Sequence, residues 1–195
     1  MKDGTSRRIS RVKTRLCSVK KIISTSNDTD TNMYYQWAED DFDLPAGLSR
    51  LGQDEPVSDE KYVMYHGTTR QNAEAILTSG FRQSADGMLG RGVYLSRDLK
   101  KASRYPIKHP ESDKAVVKVS VDVGRVIAIR YQNHPYQKTW HDRGYDTAWV
   151  PPNCGMVKSG LEEDCVWDPK RIEVINIIKP LRVQPSYGYE AYGYK

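Results

Sequence analysis

Hydrophobic and polar residues alternate most regularly over residues 117–123, where four valines are separated by Lys118, Ser120 and Asp122. A period of two is typical of a strand with one buried face. Other short runs are rich in β-branched and aromatic residues and also predict strands. They lie at 62–65, 93–95, 126–129, 147–150, 164–167 and 172–178.

Two segments carry a helical pattern instead. Apolar residues within 73–77 fall on one face of a helix, a capping-box pattern begins at Thr68, and Gly80 stands where a helix C-cap glycine belongs. A second, shorter helix is predicted over 96–105, because Pro106 discourages continuation. Many strands with two early helices predict the α+β class with a mainly antiparallel sheet.

Charge is distributed unevenly along the 195 residues, although the formal net charge is only +5. Residues 1–21 hold eight basic residues and one acidic residue, whereas residues 22–60 hold one basic and ten acidic residues. We therefore predict a basic arm and an acidic linker over 1–60, partly disordered or docked, followed by one domain over 61–182. A Tyr/Gly-rich tail occupies 183–195.

The two flanking segments leave alternatives open. The basic arm is either a solvated terminus or a segment that contacts nucleic acid. Trp37 and Phe42 in the linker are candidates for docking on the domain. The tyrosines of the tail offer stacking surfaces to single-stranded RNA, or have no binding role.

Composition excludes several classes of protein. Mean hydropathy is −0.71, no window approaches the roughly 20 apolar residues of a membrane span, and no secretory leader is evident. The expectation is a soluble protein away from membranes, in the cytoplasm, with the nucleus as an open alternative. Three cysteines without a C-x-x-C pair argue against a disulfide framework or a zinc ribbon, and the four histidines lack ligand spacing. We expect no metal.

Three short stretches carry residues suited to chemistry: 65–68, with an imidazole and a glycine; the glycine loop 87–94; and the acidic triplet 162–164. Each stretch alone is weak evidence for a functional site, since a lone histidine, a glycine-rich turn and a cluster of acidic residues usually have structural roles. The loop lacks the Lys-Ser/Thr of a phosphate loop and the helix-opening pattern of a dinucleotide fold. No G-x-S-x-G elbow is present.

Taken in order, these stretches resemble the motifs of the poly(ADP-ribose) polymerase catalytic domain, one of the diphtheria-toxin-like ADP-ribosyltransferases. The resemblance covers about residues 61–182. Within the family, residues 144–154 and 162–169 look closest to the small virus-inducible polymerase-like proteins of fish and other animals. The motifs are Tyr65-His66-Gly67-Thr68, Gly87-Met88-x-Gly90-x-Gly92-Val93-Tyr94-Leu95-Ser96, Lys101-Ala102-x-x-Tyr105 and Glu163-x-x-Val166-Trp167-Asp168.

The resemblance implies the diphtheria-toxin-like ADP-ribosyltransferase fold, with two mainly antiparallel sheets around an NAD+ cleft. It also implies a catalytic triad of His66, Tyr94 and Glu163. Cleavage of the nicotinamide bond develops oxocarbenium character on the ribose, which the Glu163 carboxylate would stabilise. Tyr94 and Tyr105 would sandwich the nicotinamide ring, and the Gly67 backbone would hold its carboxamide. The cofactor-binding residues so implied are His66, Gly67, Thr68, Arg91, Gly92, Tyr94 and Tyr105.

Two departures keep the assignment open. The family's polymerases carry a serine eight residues after the triad tyrosine, where this chain has Ala102, and Ser103 would point about 100° away on a helix. Losing one hydrogen bond costs about 1 kcal/mol, so NAD+ affinity would be several-fold weaker. Glu162 also remains a substitute for Glu163. Arg91 either meets the pyrophosphate or faces solvent.

Three functions compete on this basis. The first is an NAD-dependent transferase that moves single ADP-ribose units to a protein, to itself or to a nucleic acid, in an antiviral or stress response. The second is an inactive enzyme that retains NAD+ or ADP-ribose binding, for which Ala102 argues. The third is an antiviral scaffold that contacts nucleic acid through the basic arm, residues 1–21, and the tyrosine-rich tail.

Overall fold

The computed structural model describes residues 20–28, 33–40 and 44–183. Over these residues the chain is α+β with mostly antiparallel strands and short helices, which confirms the predicted class. No helix within the described ranges is both long and apolar enough to cross a membrane. The strands are β1 (Lys20–Asp28), β2 (Met33–Asp40), β3 (Lys61–Thr69), β4 (Val93–Leu95), β5 (Lys114–Asp122), β6 (Val126–Ala128), β7 (Thr147–Val150), β8 (Glu163–Val166), β9 (Ile172–Ile178) and β10 (Leu181–Val183).

The first sheet has the order β3-β5-β9, with the valine-rich strand β5 in the middle. Val117, Val119 and Val121 pack toward the core that includes the first helix, while Val116 packs on the other face with Trp37. Lys118, predicted to face solvent, is buried and pairs with Glu39 of β2. The predicted half-buried pattern therefore holds at Ser120 and Asp122, which are partly exposed, and is wrong at Lys118, which β2 covers.

Helix α1 (Arg70–Ser79) follows β3 directly and lies against this sheet. Its N-cap is Thr69 rather than Thr68, and the Thr69 hydroxyl accepts a hydrogen bond from the Asn72 N–H at 3.1 Å. The helix ends at Gly80, as predicted. On the predicted apolar face, Ala73 is buried but Leu77 is exposed.

Helix α2 (Leu99–Ala102) is a single turn, much shorter than predicted. Its N-cap is Asp98, whose side chain accepts a hydrogen bond from the Lys101 N–H at 2.7 Å, so the helix starts later than the predicted position 96. Three 3₁₀ turns complete the helical content of the described residues, at Glu111–Asp113, His141–Arg143 and Pro169–Arg171.

The second sheet has the order β4-β8-β7-β6, and only its β6–β7 pair is parallel. Strand β4 lies beside β8, with Tyr94 opposite Cys165. The backbones of Tyr65 and Ser96 exchange hydrogen bonds of 2.7 and 2.9 Å, which join β3 to the end of β4. This bridge connects the first sheet to the second.

A third sheet, β1-β2-β10, contains two strands from the segment predicted as arm and linker. Trp37 of β2 is 1% exposed, packs with Val63 and Tyr65, and donates its indole N–H to Glu111 at 2.9 Å. Strand formation there was not predicted. Most of the basic arm, Phe42 and nearly all of the tail lie outside the described residues.

Candidate active site

A cavity of about 320 Å³ opens where the first and second sheets meet. It brings together five of the residues identified from the sequence, although they are separated by up to 97 positions in the chain. They are His66 and Gly67 from β3, Tyr94 from β4, Tyr105 just beyond α2, and Glu163, the first residue of β8.

His66 is fixed in one tautomer by its neighbours. Its Nδ1 lies 2.9 Å from the carbonyl oxygen of Tyr94, so Nδ1 carries the proton and donates it. The ring edge packs on Phe81, with centroids 5.4 Å apart at 86°. Burial lowers the pKa of His66, and the hydrogen bond to Tyr94 opposes that shift only in part. The neutral imidazole presents Nε2 as an acceptor for a hydroxyl group.

We expect the depressed pKa of His66 to make the folded state sensitive to acid. The folded-state pKa lies below the unfolded value of about 6.5, so the unfolded chain binds the proton first. Unfolding free energy should be full near pH 7 and should fall as pH drops through 6.5 toward the folded-state pKa. Chemical denaturation at several pH values checks this. His66→Gln should flatten the slope, and an unchanged slope would contradict the account.

Tyr94 is held by the glycine loop. Its hydroxyl donates to the Gly90 carbonyl at 2.7 Å and accepts from the Leu89 N–H at 2.9 Å. Burial is the main factor that raises the pKa of Tyr94, so the phenol stays protonated at neutral pH. Tyr94 can therefore offer an aromatic ring to a ligand, while its hydroxyl organises residues 87–90.

Gly67 lies directly against the turn of α2. A Cβ at this position would fall 1.9 Å from the Ala102 carbonyl oxygen and 3.0 Å from the Tyr105 Cβ. The backbone of the cavity wall can be this close to α2 only without a side chain.

We expect Gly67→Ala to push α2 and Tyr105 outward and to lower the free energy of unfolding by about 1–3 kcal/mol. NAD+ affinity should fall with it, because Tyr105 moves. Gly155→Ala is the matched control: it adds left-handed strain, with φ at +83°, but has open space around its Cβ. Thermal unfolding and calorimetry compare the two variants. Equal effects would contradict a packing role for Gly67.

Glu163 is oriented by a buried lysine. Lys101 Nζ lies 3.1 Å from Glu163 Oε2 and also donates to the Glu162 carbonyl at 2.5 Å. The Lys101 side chain is 5% exposed and that of Glu163 is 20% exposed. The carboxylate thus reaches the cavity from a fixed direction, with one oxygen paired to a cation.

Strand alternation separates Glu163 from its acidic neighbours. Glu162 is 1% exposed and accepts from the Ser96 hydroxyl at 3.0 Å and from the Arg97 N–H at 2.8 Å. Asp164 is fully buried in a two-bond pair with the Arg97 guanidinium, at 2.9 and 3.0 Å. Neither lines the cavity, so the structure gives no support to Glu162 as a substitute.

Sequence reasoning missed the role of Lys101. It quoted the residue as part of the Lys101-Ala102-x-x-Tyr105 motif but assigned it no contact. No local signal in the sequence reveals this contact, because it depends on β8 passing beside α2.

Three of the predicted cofactor-binding residues do not line this cavity. Thr68 contributes to a neighbouring cavity, which also includes His66. Arg91 is exposed, donates to Gln83 Oε1 at 2.9 Å and lies over the Trp167 ring. Gly92 has a packing role, because a Cβ there would lie 2.4 Å from the Cys165 Sγ. Arg91 and Gly92 thus contact neighbouring protein groups and do not line the cavity.

The absent serine has no replacement from the next residue. Ala102 lines the cavity, whereas the hydroxyl of Ser103 donates to the Lys100 carbonyl at 3.0 Å and borders a different cavity. A ligand amide here lacks that side-chain hydroxyl. No group of three or more potential metal-binding side chains occurs among the described residues.

A comparison with protein families shows the family to which this chain belongs. The model of the poly(ADP-ribose) polymerase catalytic domain matches residues 6–149, well over half of the chain. This chain belongs to that family. The ADP-ribosyltransferase fold and the ADP-ribosyltransferase family follow from it, and NAD+ is the substrate that poly(ADP-ribose) polymerase domains use.

The matched range includes His66, Tyr94 and Tyr105, which line the candidate active site, but it ends before Glu163. Placement of the carboxylate therefore rests on the geometry of β8 and Lys101. A comparison with curated proteins found no match.

Proposed function

We propose that this protein is an NAD+-dependent ADP-ribosyltransferase that attaches single ADP-ribose units to a protein or nucleic-acid acceptor. The observation that carries the proposal is the single cavity shared by His66, Gly67, Tyr94, Tyr105 and the Lys101-paired Glu163. An aromatic pair, an unobstructed backbone and an oriented carboxylate are the groups that a nicotinamide riboside requires.

The dinucleotide extends past His66 in this proposal. A second cavity of about 320 Å³ shares His66 with the first and is lined by polar groups that include Thr68, Asn72 and Arg82. The nicotinamide half occupies the cavity between Tyr94 and Tyr105, and the adenosine half takes the second cavity. His66 Nε2 then accepts a hydrogen bond from a ribose hydroxyl at the junction.

The chemistry needs one carboxylate. The glycosidic bond between the ribose C1″ and the nicotinamide nitrogen breaks, and its electron pair leaves with neutral nicotinamide. Positive charge develops on the ribose, which Glu163 stabilises from its fixed position. Lys101 acts through Glu163 as a positioning residue. An acceptor oxygen then forms the new bond to C1″: an ionised carboxylate or phosphate has no proton to lose, and a hydroxyl releases its proton to water.

A second candidate function is ligand binding without turnover, which Ala102 favours. Without the serine hydroxyl, nicotinamide is held less firmly by about 1 kcal/mol. This difference weakens binding several-fold but leaves the carboxylate in place, so transfer is our first choice.

Incubating the full chain with NAD+ labelled in the adenosine half tests the proposal. We expect nicotinamide release together with covalent label on an acceptor or on the chain itself, with no modified site carrying more than one ADP-ribose. Calorimetry with NAD+ measures binding in parallel. Binding without nicotinamide release would support the second candidate and contradict the first, and absence of both would contradict the two together.

A further inference from the structure

The glycine loop forms one wall of the candidate active site, although its composition favours no single conformation. Gly87 and Met88 of this loop line the cavity, and Gly87, Gly90 and Gly92 all lie within six residues. Glycine loses more conformational freedom on ordering than any other residue, so a loop of this kind keeps one shape only where other groups hold it.

A loop far away in the chain, residues 133–140 between β6 and β7, supplies two of those groups. Gln137 Nε2 donates to the Met88 carbonyl at 2.9 Å, and the Trp140 indole N–H donates to the Leu89 carbonyl at 2.7 Å. Gln137 is 7% exposed and Trp140 is 1% exposed, so water has little access to either donor. Hydrogen bonds shielded in this way are costly to break.

Both donors are themselves fixed in orientation. Gln137 Oε1 accepts from the Asn133 backbone N–H at 2.7 Å, which leaves the amide nitrogen to face the Met88 carbonyl. The Trp140 ring belongs to the same buried apolar cluster as the Leu89 side chain. The 133–140 loop is therefore a rigid support for the glycine loop.

Tyr94 completes the hold from the side of the cavity. Its hydroxyl donates to the Gly90 carbonyl at 2.7 Å and accepts from the Leu89 N–H at 2.9 Å. Three successive carbonyl groups, at positions 88, 89 and 90, thus accept hydrogen bonds from Gln137, Trp140 and Tyr94. The ring assigned to nicotinamide and two residues outside the cavity act on one short stretch of backbone.

We propose that Gln137 and Trp140 are positioning residues for NAD+ binding, although neither lines the cavity. They hold residues 88–90 and the Tyr94 hydroxyl in place before the ligand arrives, so less conformational freedom is lost on binding. The inference rests on the proposed function for the identity of the ligand. Removal of either donor should weaken NAD+ binding but change the rate of nicotinamide release from the bound complex only slightly, because Glu163 is held separately by Lys101.

Two variants remove one donor each. Trp140→Phe keeps an aromatic ring but lacks the indole N–H, and Gln137→Met keeps the length of the side chain but lacks the amide. Trp149→Phe is the matched control, since Trp149 is 3% exposed and its indole N–H has no hydrogen-bond partner among the described residues. Calorimetry with NAD+ should give dissociation constants raised about fivefold or more in the first two variants, the effect of one lost hydrogen bond. The control should stay within about twofold of the unmodified chain.

Two further readouts separate positioning from a general loss of stability. A merely structural role would lower the fraction of chains that bind NAD+ without changing the dissociation constant of those that do. Hydrogen exchange without NAD+ reports on the loop directly. Backbone amides of residues 87–92 should exchange about tenfold faster in Trp140→Phe, whereas those of the central strand β5 should keep their protection.

The outcomes distinguish this inference from the proposed function. If NAD+ binds but nicotinamide is never released, the proposed function fails, and raised dissociation constants in both variants still support the inference. Unchanged dissociation constants, an equal effect of Trp149→Phe, or unchanged exchange of residues 87–92 would overturn it. Absence of NAD+ binding by the unmodified chain would overturn both.

Discussion

Replacing Glu163 by Gln should reduce nicotinamide release about 10²–10³-fold with little change in NAD+ affinity. The amide has nearly the same shape but lacks the negative charge that stabilises the developing oxocarbenium ion, and a loss of that size is typical when one preorganised electrostatic group is removed. Single-turnover kinetics and calorimetry on the same preparation separate the chemical step from binding.

The matched control is Glu162→Gln. This neighbouring carboxylate points to the opposite side of β8, where the Ser96 hydroxyl and the Arg97 N–H bind it. We expect its turnover to stay within a few-fold of the unmodified protein. If the change at Glu162 had the larger effect on turnover, the assignment of the catalytic carboxylate would be wrong.

Replacing Arg97 by Met should be the most destabilising of the substitutions considered. The Arg97 and Asp164 side chains are 2% and 0% exposed, and without Arg97 the buried Asp164 carboxylate loses its ion pair and both of its hydrogen bonds to the guanidinium. Removing one member of such a pair costs about 3–5 kcal/mol. At roughly 2–4 °C per kcal/mol for a domain of this size, the midpoint of thermal unfolding should fall by about 6–20 °C.

Two comparisons test the reason for that loss. Arg97→Met/Asp164→Leu removes both charges and should recover a large part of the stability. Arg130→Met breaks the exposed pair with Glu55, at 57% and 51% side-chain exposure, and should change the midpoint little. A double variant as unstable as Arg97→Met alone would mean that shape, rather than the uncompensated charge, accounts for the effect.

The elements predicted correctly are those set by local pattern. The strand over 172–178 is found with the same bounds, and 93–95 likewise, because a run of β-branched and aromatic residues favours a strand whatever surrounds it. Helix α1 was predicted from its apolar spacing and Gly80, but its cap was misplaced by one residue, since Thr68 and Thr69 both offer a hydroxyl.

The errors came from contacts between distant segments. Lys118 alternates with valines as a solvent-facing residue would, yet Glu39, 79 positions earlier, covers it. Strand β1 begins at the end of the basic segment and β2 lies in the acidic one, and the charge pattern of neither segment predicts that β2 pairs with β1 and with β10. Sequence pattern alone does not contain the partner of a strand.

The candidate site divides in the same way. Motif order predicted that His66, Gly67, Tyr94, Tyr105 and Glu163 belong together, and they line one cavity. The pattern could not separate Glu163 from Glu162, because strand register decides which carboxylate points inward. It also could not reveal Lys101, whose role depends on β8 passing beside α2.

A crystal structure of the full chain with NAD+ bound tests the central claim most directly. The account predicts the nicotinamide ring between Tyr94 and Tyr105, its carboxamide on the Gly67 backbone, a ribose hydroxyl on His66 Nε2, and Glu163 beside the ribose. A dinucleotide bound elsewhere would contradict the account. So would one bound in this cavity with the Glu163 carboxylate pointing away from the ribose.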